Sequence, residues 1–219
     1  MGRQYELIVF DWDGTLMDST GAIVASIKAA AADLGIEPPP EARARHIIGL
    51  GLIDALRHAL PDLPKERYQD VAQRYRHHYL SRDQDLLLFE GVENLLADLA
   101  EAGHMLAVAT GKTRVGLNRA FEVSGIGSRF HGSRCADECR SKPDPQMLEE
   151  LMDEFGVTAE ETLMIGDTTH DLLMARNAGV AALAVTYGAH GREVLAAEAP
   201  LFCADSVADL ADWLRQGPV

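Results

Sequence analysis

Two aspartates stand two residues apart near the start of the chain, in the segment FDWDGTLMDS that follows an apolar run. Asp11 and Asp13 can face one pocket, because alternate residues of an extended chain point to the same side. Carboxylates at the end of a buried strand are costly without a positive partner, so a divalent cation is expected beside them. A turn or helix cap built from Asp and Gly would explain the same residues, and this segment alone leaves that alternative open.

A second pair of acids follows a later apolar run, in the segment IGDTTHD. Asp167 and Asp171 are four residues apart, which would place both on one face of a helix that begins there. An aspartate that merely caps the helix is the alternative for this segment.

Two further segments add a hydroxyl and a cation. In VATGK, Thr110 and the backbone N–H of Gly111 stand at a predicted strand-to-helix turn, where they suit a phosphate oxygen. In SKPDP, the prolines hold Lys142 in a stiff, non-helical loop, although most surface lysines have no such role. The four segments together supply what phosphoryl transfer through an aspartate requires.

The elements that must position these residues alternate along the chain. Short apolar runs, typical of strands buried on both faces, are separated by stretches of helical period. This alternation predicts an α/β fold with a doubly wound, Rossmann-like parallel sheet and helices on both faces. The four segments then fall at the same end of the sheet. The predicted strands are 7–10, 105–109, 163–165 and 181–185.

The stretch from Asp18 to Leu80 breaks the alternation, since it contains only helical patterns. It leaves after the first strand and returns near Asp85, above the carboxyl ends of the strands, where open α/β sheets place their ligands. We therefore predict an all-helical cap at residues 17–85 that acts as a lid. The catalytic core would comprise residues 1–16 and 86–219.

Composition limits the classes of function. The chain has 219 residues, of which 47% are hydrophobic and 25% charged, which excludes a disordered, collagen-like or coiled-coil protein. Its 20 basic and 34 acidic residues give a net charge of −14, which opposes binding to nucleic acid or to an anionic membrane. A small phosphorylated metabolite remains a suitable partner where local cations and dipoles surround it.

The expected cellular location depends on the search for a secretory signal or membrane span and on the number of cysteines. We find no secretory signal, and the apolar stretch 180–185 is too short to cross a bilayer. Three cysteines, an odd number, favour a reducing cytoplasm. Cys135 and Cys139 form a C-x3-C pair with no second pair, which favours thiols over a metal site. Without a heptad or an interface stripe, we expect a monomer or a weak homodimer.

The four segments resemble, in order, the motifs of the haloacid dehalogenase superfamily, in its phosphoglycolate-phosphatase-like branch with a helical cap. FDWDGTLMDS, VATGK, SKPDP and IGDTTHD carry the resemblance, which covers essentially the whole chain. The later segments DLLMARNAG and VTYG are also similar to that branch. One departure is Gly111-Lys112, which stands where Asn-Lys is more common.

This resemblance implies catalytic and phosphate-binding roles. Asp11 would attack phosphorus and form an aspartyl-phosphate, while Asp13 would protonate the leaving alcohol and then deprotonate the water that hydrolyses the intermediate. Thr110 and the Gly111 N–H would hold phosphate oxygens. Lys142 would offset negative charge on the nucleophile and the phosphate.

The resemblance also implies a magnesium ion. Mg²⁺ would be held by the Asp11 carboxylate, the Asp13 backbone carbonyl and Asp167, with Asp171 acting on the water around the ion. An anionic carboxylate cannot easily approach a phosphate dianion unless Mg²⁺ and Lys142 reduce the repulsion.

Substrate and reaction class rest on fewer residues. Dehalogenases of the superfamily lack the second aspartate and phosphonate-cleaving relatives carry a small residue there, so Asp13 favours a P–O ester. Arg45 and Gly49 match the cap segment that faces the active site in relatives. An arginine there would pair with the carboxylate of phosphoglycolate, our leading substrate, and a solvated helix face is the alternative.

We therefore predict a Mg²⁺-dependent phosphatase of a small phosphate monoester. A phosphosugar mutase of the same fold is an alternative, because it differs only in excluding water under the cap. A phospho-acceptor signalling domain is less favoured, since such domains have no helical lid after the first strand.

Overall fold

The computed structural model describes residues 5–216, which form a six-stranded parallel sheet with helices on both faces and a helical cap. The strands are Leu7–Phe10 (β1), Met105–Thr110 (β2), Gly132–Cys135 (β3), Thr162–Gly166 (β4), Ala181–Val185 (β5) and Phe202–Ala204 (β6). Their order in the sheet is β3-β2-β1-β4-β5-β6, with β1 between β2 and β4. The predicted α/β fold with a doubly wound parallel sheet is confirmed.

The helices alternate with the strands once the chain has left the cap. The cap helices are Thr20–Asp33 (α1), Glu41–His46 (α2), Leu52–Ala59 (α3) and Tyr68–Leu80 (α4). The remaining helices are Val92–Glu101 (α5), Arg114–Ser124 (α6), Gln146–Phe155 (α7), Thr169–Asn177 (α8), Arg192–Ala196 (α9) and Val207–Gln216 (α10). No helix among residues 5–216 has the length and apolar character that a membrane span requires.

The four central strands are the ones that the apolar runs predict, because each has both faces covered. In β1, Ile8 and Phe10 join the core on one face of the sheet, while Leu7 and Val9 join the core on the other. The apolar runs of the sequence did not predict the two edge strands. β3 has the sequence GSRC, with only its last residue buried, and β6 has three residues, so neither presents an apolar run.

The cap has a hydrophobic core of its own. α1 and α4 pack together along one stripe each, with Ile27 and Val71 fully buried between them. The two chain segments that connect the cap to the sheet lie side by side, since Met17 and Leu88 form an antiparallel bridge. Asp18 N–H also donates to the Leu87 carbonyl at 2.9 Å.

The register of the sheet brings the motif segments together. Phe10 pairs with Val108 of β2 and with Ile165 of β4, so the residues that follow these three positions leave the sheet at the same edge. This edge carries Asp11 and the end of β2 at Thr110, and the cap stands above it.

Candidate active site

Asp11 is the first residue after β1 and lies at the centre of the edge. Its backbone N–H donates to the Ile165 carbonyl at 2.9 Å, which continues the ladder to β4. The side chain is fully buried, and Lys142 Nζ lies 2.8 Å from Oδ1. Oδ2 accepts no hydrogen bond from any residue in the range 5–216. A buried carboxylate oxygen without a donor is an atom that a ligand is expected to engage.

Lys142 bridges two of the acids. Its ammonium lies 2.8 Å from Asp11 and donates to Asp171 Oδ1 at 2.6 Å, and its side chain has no exposure to solvent. Burial opposes the charge, yet the two carboxylates raise the pKa of Lys142 above its usual value. The loop that holds it turns at a cis Lys142-Pro143 bond before α7 begins.

Asp171 is fixed by the start of α8. Thr168 is the N-cap. Its N–H donates to Asp171 Oδ2 at 3.0 Å and its hydroxyl accepts from the Asp171 N–H at 3.4 Å, so the two residues form a capping box. The hydroxyl also donates to Asp171 Oδ2 at 2.7 Å. The sequence prediction that Asp167 shares this helix is wrong, because α8 begins only at Thr169. Asp167 stands in the loop between β4 and the helix.

Asp167 lies in a closely fitted cradle. Its carboxylate accepts from the Thr15 hydroxyl at 2.9 Å and from the Ala189 N–H at 2.7 Å. Gly14 has φ of +86°, and a Cβ there would lie 2.2 Å from Asp167 Oδ2. Position 14 therefore requires glycine, both because of its positive φ and because a Cβ has no room beside Asp167. This close fit accounts for the glycine of the D-x-D-G segment more specifically than a turn alone would.

The three carboxylates converge on one point. Asp11, Asp167 and Asp171 each offer an oxygen, and these atoms lie within 4.8 Å of one another. Burial, more than the neighbouring acids, raises the pKa of Asp11 to about 7, with Lys142 opposing the rise. Burial, and after it the charges of Asp11 and Asp171, raise the pKa of Asp167 well above its usual value. One lysine does not balance this negative charge, so the oxygen donors fit a hard divalent cation.

Asp13 belongs to a second polar group at the cap side of the site. Ser19 donates to its Oδ1 at 2.7 Å, and Lys112 Nζ lies 3.0 Å from the same oxygen. Lys112 also donates to the Tyr79 hydroxyl of α4 at 2.9 Å. Asp13 is thus oriented by one hydroxyl and by a lysine that reaches from the core to the cap.

Thr110 and Gly111 lie where β2 ends. Thr110 is fully buried, and the Lys112 N–H donates to its hydroxyl at 3.2 Å. A Cβ at Gly111 would lie 2.5 Å from the Leu50 carbonyl and 2.6 Å from that of Gly49, both in the cap. The cap backbone therefore rests directly on this turn, and a Cβ at Gly49 would lie 3.9 Å from Asp11 Oδ2.

The cap is also attached on its other side. His170 and His190 each place Nε2 near the His46 carbonyl, at 2.7 and 3.2 Å. Burial lowers the pKa of His190 to about 4, so its ring is neutral. Since its Nδ1 accepts from the Thr169 N–H at 3.0 Å, Nε2 carries the proton and donates to the cap.

The structure brings together most of the residues that sequence reasoning selected, but it separates Arg45 from them. Arg45 pairs with Glu41 of its own helix at 3.5 Å and does not line the cavity next to Asp13. Gly49, by contrast, lies in that cavity wall and over Asp11.

Other residues of the site were missed by sequence reasoning. Ser19 and Thr15 lie within the quoted first segment, and Lys112 ends the VATGK segment, so proximity to a motif was the available signal. Tyr79 and His190 had no such signal, because only the folded chain brings α4 and the loop after β5 to the edge of the sheet.

Comparisons with known proteins agree with this geometry. The family model described as haloacid dehalogenase-like hydrolase matches residues 8–185. "Probable phosphatase IndB" of Dickeya dadantii is 37% identical over 210 residues, covering 93% of this chain and 91% of the relative. A "5'-nucleotidase" of Pseudomonas aeruginosa is 34% identical over 216 residues, covering 94% of each chain.

Solved structures share the whole architecture. The crystal structure of a predicted phosphoglycolate phosphatase from Haemophilus somnus superposes with a TM-score of 0.86 at 26% identity. The match covers 95% of this chain and 97% of the other, so the sheet and the cap are both included.

Proposed function

The chain belongs to the haloacid dehalogenase-like hydrolases and is a phosphatase, and on that premise we propose that it hydrolyses small phosphate monoesters with Mg²⁺ through an aspartyl-phosphate on Asp11. The observation on which the proposal rests is the environment of the Asp11 carboxylate. The carboxylate is buried among two other acids and one lysine, with an oxygen that has no hydrogen-bond donor among the described residues.

Asp11 is the nucleophile in this proposal. Its Oδ2 is the free oxygen, while Oδ1 is held by Lys142 at 2.8 Å. Attack by Oδ2 forms an O–P bond as the ester O–P bond breaks. Lys142 reduces the repulsion between the carboxylate and the phosphate dianion, and the Thr110 hydroxyl and Gly111 N–H would hold phosphate oxygens.

Asp13 is the general acid and base. It lies on the side of the site that faces the cap cavity, where the leaving oxygen must depart. A protonated Asp13 gives its proton to that oxygen, and the resulting carboxylate takes a proton from the water that attacks the aspartyl-phosphate. Ser19 and Lys112 hold one oxygen of the carboxylate and thereby orient the other.

The donor set suits Mg²⁺. The carboxylates of Asp11 and Asp167 and the backbone carbonyl of Asp13 would hold the ion, while Asp171 would act on the water around it. When bound, the ion supplies electrostatic stabilisation of the charge on the transferring phosphoryl group. The cradle around Asp167 pre-orients its carboxylate for that task.

The substrate proposed from sequence, phosphoglycolate, gains support from the name of the Haemophilus somnus relative. Of the two sequence relatives, the one from Pseudomonas aeruginosa is named a 5'-nucleotidase, and the name of the one from Dickeya dadantii gives no substrate. The names of the relatives therefore do not agree on one substrate. We keep a small phosphorylated metabolite as the partner. We also propose a cytoplasmic location, which the three free cysteine thiols support.

Phosphate release from a panel of esters, with and without Mg²⁺, tests the proposal. We expect release that depends on the metal and that falls by at least about 10³-fold in Asp11→Asn, since that change removes the nucleophile. Asp18→Asn, an exposed change outside the site, is the matched control and should retain activity.

Two results would contradict hydrolysis through Asp11. Full activity of Asp11→Asn would exclude this nucleophile. A wild-type chain that becomes stably phosphorylated but releases no phosphate would favour the phosphosugar mutase, whose closed cap excludes water, over the hydrolase.

A further inference from the structure

A cavity of about 210 Å³ separates the cap from the core next to the candidate site. Asp13 and Gly111 line its inner end, so it opens onto the carboxylate that protonates the leaving oxygen. A water molecule occupies roughly 30 Å³ in the liquid, so the space is much larger than one solvent molecule needs. An alcohol that departs from phosphorus beside Asp13 has this cavity in front of it.

The cavity walls are apolar and aromatic. Tyr75 and Tyr79 of α4 stack with ring centroids 5.7 Å apart and planes inclined by 23°. Aliphatic side chains from the other cap helices and their connections complete the wall. They include Ile23, Ile27, Ile47, Ile48, Leu52 and Ala55.

The rim of the cavity is apolar as well. Leu80 of the cap and Val115 of α6 both line it, and both are exposed, by 48% and 78%. A single exposed apolar side chain is ordinary. Two that stand at the mouth of one apolar cavity, one from the cap and one from the core, extend its surface towards solvent.

The cations inside the cavity already have acidic partners. Lys112 pairs with Asp13, and Arg119 donates to both carboxylate oxygens of Asp83. A substrate carboxylate buried here would lose its water, and among the described lining residues it would meet only Arg76, on the exposed rim, as a cation without an ion pair. Burial of a carboxylate without a cation is unfavourable.

Resting on the proposed function, we propose that this cavity selects phosphate esters of uncharged alcohols that carry an apolar or aromatic group. Esters of short acidic alcohols, including phosphoglycolate, are disfavoured. Ile27, Ala55 and Tyr75 are then specificity-determining residues, because they shape the wall and are not themselves among the acids that carry the chemistry.

Three esters test this assignment: benzyl phosphate, methyl phosphate and phosphoglycolate, each with Mg²⁺. Benzyl and methyl alcohol differ little in acidity, so their esters differ mainly in the ring. A single methylene in an apolar pocket changes kcat/KM by about 10-fold or more. We therefore expect kcat/KM for benzyl phosphate to exceed that for the other two esters by at least about 10-fold.

Variants of the wall connect the preference to the cavity. Ala55→Leu fills the space, so we expect it to lower kcat/KM for benzyl phosphate by about 10-fold and to leave methyl phosphate unchanged. Tyr75→Ala removes the aromatic wall and should have the same selective effect, mainly in KM. Tyr75→Phe keeps the ring and should retain the preference for benzyl phosphate over methyl phosphate, and unchanged thermal unfolding confirms that each variant folds.

Each contrary result has a distinct meaning. Faster turnover of phosphoglycolate, lost in Arg76→Ala, would overturn the inference in favour of an acidic substrate bound at the rim. Equal rates for benzyl and methyl phosphate, or an equal loss of both in Ala55→Leu, would also overturn it. These results leave the proposed function intact, whereas failure to release phosphate from any ester would contradict the proposed function itself.

Discussion

Lys142 and Lys112 each pair with an aspartate of the FDWDG segment, but they connect different parts of the molecule. Lys142 lies wholly within the core, 2.8 Å from Asp11 and 2.6 Å from Asp171. Lys112 joins the core to the cap, because it contacts Asp13 and the hydroxyl of Tyr79. The first pair is sealed from solvent, and the second retains 11% exposure on each side chain.

This difference separates two tasks within one site. The Lys142 end has three converging carboxylates, and the side chains and N–H groups that pair with them all come from the core. The Lys112 end is complete only when α4 lies over the sheet, since Tyr79 comes from the cap. In the proposed mechanism, the core residues therefore carry the phosphoryl chemistry, whereas the arrangement around the leaving group depends on the position of the cap.

Removing each lysine in turn should give the largest contrast. We expect Lys142→Met to lower kcat by about 10²- to 10³-fold, because it leaves the repulsion between carboxylate and phosphate unopposed. It should also destabilise the metal-free fold by about 3–5 kcal/mol, since Asp11 and Asp171 lose their buried partner. Steady-state kinetics and urea unfolding measure the two effects.

Lys112→Met is the matched variant at the other end. Asp13 retains the Ser19 hydrogen bond, so we expect a loss of only about 10-fold in kcat. Equal losses in the two lysine variants would show that the two ends of the site do not act separately.

Gly111→Ala tests whether the turn after β2 controls the cap. The new Cβ would meet the carbonyls of Leu50 and Gly49, and backbone atoms cannot move aside without shifting the cap. A displacement of about 1 Å is enough to lower kcat/KM by about 10²-fold, and we expect up to that loss. Gly191→Ala, at the start of α9 with an ordinary φ of −73° and open space around it, controls for a general effect of the added methyl on activity. Unchanged kinetics in Gly111→Ala would mean that the cap does not rest on this turn during turnover.

The smallest expected effect concerns pH and the metal. Folding raises the pKa of Asp11 to about 7 from an unfolded value near 4. Between these values the folded chain holds a proton that the unfolded chain has lost, so metal-free stability decreases as pH rises from about 4 to 7. Mg²⁺ competes with that proton, so its stabilising effect should be larger at pH 8 than at pH 6.

Thermal unfolding with and without Mg²⁺ at the two pH values measures this difference, which should amount to a few degrees, at about 2–4 °C per kcal/mol for a chain of this size. Asp11→Asn should remove most of it. A stabilisation by Mg²⁺ that is the same at pH 6 and pH 8 in the wild type would contradict the expectation.

Much of the site was predictable because the end of a buried strand is marked by residues that are neighbours in the sequence. Asp11, Thr110 and Asp167 each follow an apolar run, and the rules of parallel sheets place such positions at one edge. Arg45 shows the limit, since a cap arginine near a motif turned out to pair with Glu41 on its own helix. Helix α8 shows another, because its start depends on the Thr168 cap and excludes Asp167.

The sequence by itself determined the alternation of strands and helices, the helical insertion after β1 and the acids at the strand ends, because each depends on periodicity or on residues close in the chain. The tertiary structure decided which lysine serves which aspartate and which side chains line the cavity. Those contacts join residues as distant as Asp11 and Lys142, or Tyr79 and Lys112. The first pair is set by how the loops of the core pack together and the second by how the cap packs on the sheet, and no local sequence pattern specifies either arrangement.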